Sequence, residues 1–189
     1  MILGGLILAG GAASRMGADK AQLEWRGVRA VDRVADIARA AGAQVLVSVG
    51  PGDYGLHRVM DDQPLGGPVG GVLAGARALR DLGSDRALVL AVDAPTIRVQ
   101  DVEGLLAADG PGGAFEGLHL PMVLDLGAIP TEAEAGWPLA RLADRVGLAR
   151  LACPPEARGR LRGANTPEER DALLLELAGW EAAQKDGAG

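Results

Sequence analysis

Hydrophobic and polar positions alternate along the first half of the chain in blocks of two kinds. Leu6-Ile7-Leu8-Ala9 is a short apolar run that breaks into a glycine-rich stretch at Gly10 and Gly11, the pattern of a buried strand entering a loop. Val31, Val34, Ile37, Ala38 and Ala41 recur at helical spacing, and Gly42 stands where a C-cap belongs, which predicts a helix over Ala30–Ala41. Gln44 to Val49 is a β-branched run closed by Gly-Pro-Gly and predicts a buried parallel strand, with a further short strand over His57–Met60. From Val69 to Leu82 small and apolar residues return to helical spacing, and the glycines among them allow close backbone approach. Arg86 to Val92 is the clearest central strand and delivers Asp93 at its carboxyl end, ahead of Pro95 and a predicted helix over Val99–Ala108. Strands and helices alternating on either side of Asp62 imply βαβ units, and hence a three-layer α/β sandwich with a mostly parallel, Rossmann-like sheet.

Beyond Gly110 the pattern weakens. Gly110-Pro-Gly-Gly reads as a turn before a candidate strand over Leu118–Leu126, and Ala128–Gly136 reads as loop. Pro138–Val146 predicts a short helix and Leu148–Ala152 a strand, after which Pro154-Pro155 marks a break. The last element is a helix over Pro167–Trp180, with Thr166 as N-cap, Pro167 at the first position and Glu168 and Glu169 at the positive end of the dipole. Residues 1–183 are read as one domain and 184–189 as a frayed tail.

Composition narrows the chemistry. The 189 residues carry a formal net charge of −6, with one Phe, one Tyr and three Trp, so a polyanion is repelled on average and stacking platforms are scarce. Nucleic acid is not the expected partner, and any anion site must be a local basic pocket. No apolar run approaches the roughly 20 residues of a membrane span, so a soluble, cytoplasmic protein is expected. Cys153 is the only cysteine and reads as a small buried hydrophobe.

That basic pocket has a candidate. Gly10 and Gly11 lack a Cβ, so the backbone can turn tightly there and bring N–H groups to an anion, while Arg15 and Lys20 add full positive charge, Arg as a fork and Lys as a mobile point. The group describes a triphosphate cradle, although the spacing fits neither the Walker nor the dinucleotide fingerprint. Ligand sites in open α/β sheets lie at the carboxyl ends of the strands, a rule that unites Gly10, Gly11, Asp62 and Asp93. With only His57 and His119 as imidazoles, a divalent cation would be held by oxygens and would be magnesium or manganese, Asp93 being the best ligand. Asp93 also has a lesser reading as a turn or helix-capping carboxylate, and Asp61 reads as a solvated neighbour or a ligand alike.

The stretch Leu8-Ala9-Gly10-Gly11-Ala-Ala-Ser-Arg15-Met-Gly-Ala-Asp19-Lys20 closely resembles the opening signature of the molybdenum cofactor guanylyltransferase family, within the wider nucleotidyltransferase superfamily. Asp62 with Gly67-Pro-Val-Gly-Gly71 is similar to that family's base and sugar segment, Val92-Asp93-Ala-Pro95 to its metal segment, and Ala164-Asn165-Thr-Pro-Glu-Glu169 to the end of its late Asn motif. The resemblance implies a nucleotidyltransferase-like fold in which Leu8, Ala9, Gly10, Gly11, Lys20, Ser48, Asp62 and Asn165 line the substrates. It implies that Arg15 and Lys20 act on the phosphates and that Asp93 holds Mg2+ or Mn2+. The implied reaction is transfer of GMP from GTP to molybdopterin or the molybdenum cofactor, with release of pyrophosphate and with a molybdoenzyme or cofactor-insertion protein downstream.

Three positions depart from the family pattern. Ser48 stands where an Asn is usual, Gly163 replaces the first Asn of the late motif, and Leu120 stands in place of a His that here is one residue earlier, at His119. Two other readings stay open. One is transfer of CMP, or a sugar phosphate as acceptor, although cytidylyltransferases tend to read Leu-Ala-Ala-Gly where this chain has Leu8-Ala9-Gly10-Gly11. The other is a catalytically weak relative that binds nucleotide or cofactor and hands it on.

Overall fold

The computed structural model describes residues 1–10, 19–60 and 67–186, with side chains described to residue 183. Seven strands form the main sheet: β1 (Leu3–Leu8), β4 (Val45–Val49), β5 (His57–Val59), β6 (Arg86–Ala91), β7 (Gly112–Phe115), β8 (Met122–Asp125) and β9 (Ala149–Leu151), in the order β5-β4-β1-β6-β8-β7-β9. β1 pairs in parallel with both β4 and β6, while β8 runs antiparallel between β6 and β7. The sheet is therefore mostly parallel, as the alternation predicts.

Helices cover both faces because the strands are apolar on both. On one face Ile7, Leu88 and Leu90 pack under α1 (Ala30–Ala40) and under Leu173 and Leu177 of α6 (Pro167–Asp186). On the other, Leu6, Leu8, Val47 and Val49 meet α2 (Gly67–Asp81) and α4 (Leu139–Val146). Gly75 permits the close seat of α2, since a Cβ there would lie 2.7 Å from Leu6 Cγ.

The first half follows the predicted elements to within one or two residues at each boundary, except that β1 begins at Leu3, three residues ahead of the Leu6 run. The second half departs in four places. The helix expected over Val99–Ala108 is a 3-10 turn (Val99–Asp101) followed by α3 (Glu103–Leu106), because Asp101 folds back to accept the Arg98 N–H at 2.9 Å. The Gly110-Pro-Gly-Gly turn continues into β7, and the strand expected over Leu118–Leu126 contracts to β8. Pro154-Pro155 opens α5 (Pro155–Arg158) instead of a bare break, with proline in the first helical position. Finally, α6 runs through Gln184 to Asp186, where the sequence pattern places a tail. A two-stranded ribbon, β2 (Glu24–Trp25) and β3 (Val28–Arg29), stands apart from the main sheet.

The chain leaves β1, builds β4 and β5 on one side, then crosses by α2 to β6 on the other. The order therefore reverses between β1 and β6, and the crevice beyond their carboxyl ends is where a ligand is expected.

Candidate active site

β1 ends at Leu8 and β6 at Ala91, and the two chains stay joined just past the sheet, where the Val92 N–H donates to Leu8 O at 3.2 Å. Register thus sets Asp93 beside the start of the glycine-rich loop. The N–H groups of Ala9 and Gly10 both donate to Val49 O at 2.9 Å. They are taken by the neighbouring strand end, so the expected anion contact from the Gly10 amide is not what this backbone presents. Gly11, Arg15 and Asp62, with Asp61, lie outside the described residues.

Lys20 opens a 3-10 turn (Lys20–Gln22) whose N-cap is Asp19, with Asp19 Oδ1 accepting the Ala21 N–H at 3.0 Å. The other oxygen, Oδ2, accepts the Tyr54 hydroxyl at 2.9 Å. Tyr54 is only 4% exposed, and burial together with this bond pushes its phenol up to about 12. The cap therefore has a second anchor, and the turn aims Lys20 across the crevice. There Lys20 Nζ donates to Asn165 Oδ1 at 2.9 Å and to Ala164 O at 3.5 Å.

Asn165 is placed by the start of α6. Thr166 Oγ1 accepts the Glu169 N–H at 3.2 Å, while Glu169 Oε2 accepts from Thr166 N at 3.1 Å and from Asn165 N at 2.6 Å. This is a capping box that extends one residue upstream. Asn165 is thus both a helix-entry residue and a partner of Lys20, the double role that its sequence position allows. The preceding residue closes the circuit, since the Ala164 N–H donates to Asp93 O at 3.0 Å.

The Asp93 carboxylate accepts no hydrogen bond from any other described residue, and desolvation holds it above the usual carboxylate range, opposed by the positive charge of Lys20. On one side it borders a cavity of about 180 Å3 that Leu90, Ala94, His119, Leu120 and Gly163 also line. On the other it meets a small depression shared with Lys20, Trp25, Val92, Ala164 and Arg170. His119 and Leu120 both face the first cavity, so the one-place shift leaves an imidazole on its wall. Gly163 is close-packed: a Cβ there would stand 3.1 Å from Asp93 Oδ2.

Among the described residues no group of three or more His, Cys, Asp or Glu could hold a metal. A desolvated single carboxylate nevertheless fits magnesium, which is commonly held by one or two carboxylates together with substrate phosphates. Ser48, at the end of β4 opposite Ile7, is 0% exposed and its hydroxyl lacks a partner among the described residues. Leu8 is buried in the α2 face of the core, and Ala9 joins the opposite core. Cys153 is buried as expected, and burial raises its thiol.

Sequence reading missed Tyr54, Asp101 and Arg160. Arg160 lies in the segment before Gly163 and makes a bidentate contact with Asp101, through Nε to Oδ2 at 2.9 Å and Nη2 to Oδ1 at 2.5 Å. Nothing local in the sequence signals either partner. Asp19 did carry a signal, as part of the opening motif.

Residues 5–117 match the family model described as MobA-like NTP transferase domain. The chain is 34% identical to the molybdenum cofactor guanylyltransferase of Xanthomonas euvesicatoria pv. vesicatoria, covering 91% of this chain and 94% of that protein. It is 31% identical to the probable molybdenum cofactor guanylyltransferase of Opitutus terrae, covering 89% and 93%. Among solved structures, a nucleotidyl transferase from Methanothermobacter thermautotroptrophicus superimposes with a TM-score of 0.72 over 94% of this chain and 98% of that one, at 16% identity.

Proposed function

Because the chain belongs to the MobA-like NTP transferase family, we propose that it transfers GMP from GTP to molybdopterin or the molybdenum-loaded cofactor and releases pyrophosphate. The observation that carries this reading is the convergence of Lys20, Asn165 and Asp93 at the mouth between β1 and β6, held by the Lys20–Asn165 bond of 2.9 Å and the Ala164–Asp93 bond of 3.0 Å. The names of the full-length relatives support the nucleotide and the acceptor.

The acceptor's terminal phosphate oxygen attacks the α-phosphorus of GTP, and the bond to the β-phosphate bridging oxygen breaks as pyrophosphate leaves. The attacking group is already an anion near neutral pH, so the protein need not supply a general base. Its work is positioning and charge neutralisation. Lys20 has three N–H donors, two of which go to Asn165 and Ala164, leaving one for a phosphate oxygen. Arg15 lies in the same opening motif and is assigned to the departing pyrophosphate. A magnesium or manganese ion held by Asp93 would supply further neutralisation at the transferred phosphate. The cavity beside Asp93, His119 and Leu120 is assigned to the acceptor side.

Selection of guanine is assigned partly to Gly10. Among the described residues a Cβ there would meet only Gly50 Cα and Val49 O, both at 3.6 Å, which is ordinary contact distance. The space is left to the ligand, and one methyl is worth about 1–3 kcal/mol of discrimination. Calorimetric titration with GTP, CTP and ATP, each with and without magnesium, tests the reading. GTP binds more tightly than CTP or ATP and magnesium tightens it further; equal affinities would remove the guanylyl assignment. We also propose a cytoplasmic location; among the described residues no helix is long and apolar enough to cross a membrane.

A further inference from the structure

Arg160 is 7% exposed and Asp101 4%, which makes them the charged pair most fully removed from solvent among the described residues. The pair belongs to two segments that run side by side. One leaves Asp93 and continues through Thr96 to Asp101; the other leaves Arg160 and continues through Gly163 and Ala164 to Asn165. At one end Arg160 binds the first segment twice, its guanidinium to both Asp101 oxygens at 2.9 and 2.5 Å and its carbonyl to the Thr96 hydroxyl at 2.8 Å. At the other end the Ala164 N–H binds Asp93 O at 3.0 Å. Asp101 is itself steadied by the Arg98 N–H at 2.9 Å, and Arg160 by the Trp180 ring 5.8 Å away.

Stability alone is a poor account of such a pair. Desolvating two charges costs about what their attraction returns, and well-packed apolar replacements are often as stable or more so. What an apolar pair cannot supply is direction. A bidentate Arg–carboxylate fork fixes both separation and angle. Directional placement matters here because Gly163 leaves so little room against Asp93, a Cβ there standing 3.1 Å from Asp93 Oδ2. Ala164 and Asn165 must also meet Lys20 at the same point.

We propose that Asp101 and Arg160 are positioning residues for nucleotidyl transfer, a clamp that holds the segment carrying Gly163, Ala164 and Asn165 in register with Asp93 and Lys20. The inference rests on the reading of Asp93, Lys20 and Asn165 as the transfer site. Neither clamp residue touches substrate, and both act through the backbone of 161–165.

The test is the paired variant Arg160→Met with Asp101→Asn, which removes both charges while Asn keeps an acceptor for Arg98. Three quantities are read on the full chain: melting temperature, kcat and KM for GTP in pyrophosphate release, and hydrogen exchange at the Ala164 amide relative to that of Val89 in β6. The clamp predicts a melting temperature near that of the wild type, a KM for GTP within about twofold, a fall in kcat of about tenfold or more, and faster exchange at Ala164 with Val89 unchanged. Wild-type kcat with wild-type protection of Ala164 overturns the proposal, as does lost stability with kcat preserved. If the paired variant does not fold, Arg160→Lys decides. It keeps the charge but not the fork, and the clamp predicts the same changes in smaller degree, whereas wild-type behaviour contradicts it. A wild-type protein that releases no pyrophosphate from GTP refutes the guanylyl reading, and exchange at Ala164 then decides the clamp alone.

Discussion

Asp93 is held where its charge is costly. Desolvation raises its carboxyl above the usual range, and the Lys20 charge offsets only part of that. Removing the charge should therefore not harm the fold. Asp93→Asn is expected to melt at or above the wild-type temperature at pH 7 and to lose magnesium-dependent pyrophosphate release. A variant that still turns over with magnesium would show that the metal is held elsewhere. Gly163 gives a companion result. An Asn there must displace the Asp93 carboxylate by a few tenths of an ångström, because its Cβ would stand 3.1 Å from Oδ2. Gly163→Asn is expected to slow release. A rise of about tenfold or more would instead mark the natural chain as disarmed, in favour of a protein that binds and hands on nucleotide or cofactor.

At the scale of elements, the turn that presents Lys20 hangs on Asp19, and Asp19 on Tyr54. In the unfolded chain a tyrosine ionises near pH 10, whereas here the phenol is pushed up to about 12. The native state keeps this proton longer, so the stability that the bond contributes is fully present below about pH 10 and is lost as pH rises toward 12. Tyr54→Phe is expected to lower stability by about 1.5–3 kcal/mol at pH 7, the net worth of a hydrogen bond to a charged acceptor. The difference from wild type should shrink over the alkaline window, and urea melts of both proteins at pH 7, 10 and 12 measure it. A constant difference across that range would mean that the hydroxyl does not bond Asp19.

Much of the first half was legible because its elements are long enough to leave a pattern. Helix α1 buries residues at helical spacing, strands β4 and β6 read as continuous apolar runs, and Asp93 follows β6 as the strand-end rule requires. The β2–β3 ribbon was not, since two-residue strands carrying Glu24 and Arg29 have no period to read. Nor was β7. Its Gly112 sits in the ladder because a Cβ would lie 2.1 Å from Val123 O, and glycines of that kind are indistinguishable in sequence from a turn. Asp101 and Arg160 are 59 residues apart, and no local pattern joins them. Of the candidate site, the motif positions Lys20, Asp93 and Asn165 that the fold brings together were readable, whereas the use of the Ala9 and Gly10 amides by Val49 follows only from how closely β1 and β4 end together.

For the whole molecule, topology sets where an acidic chain places the residues of the proposed anion site. With a net charge of −6 the protein repels a triphosphate at long range, so capture must rest on cations gathered at one mouth. The reversal of strand order between β1 and β6 brings the Lys20 cation to Asp93 and Asn165 from distant parts of the chain, and Arg170 lines the depression beside them. The fold is common ground with a nucleotidyl transferase only 16% identical, so under the proposed function the choice of nucleotide is left to local features such as the missing Cβ of Gly10. The most direct test of guanylyl transfer is therefore pyrophosphate release by the wild-type chain with magnesium and molybdopterin, GTP and CTP compared side by side. Release should depend on molybdopterin and run about tenfold or more faster with GTP than with CTP, the range one methyl of pocket shape can supply. Equal rates with the two nucleotides, or no release with GTP, would contradict it.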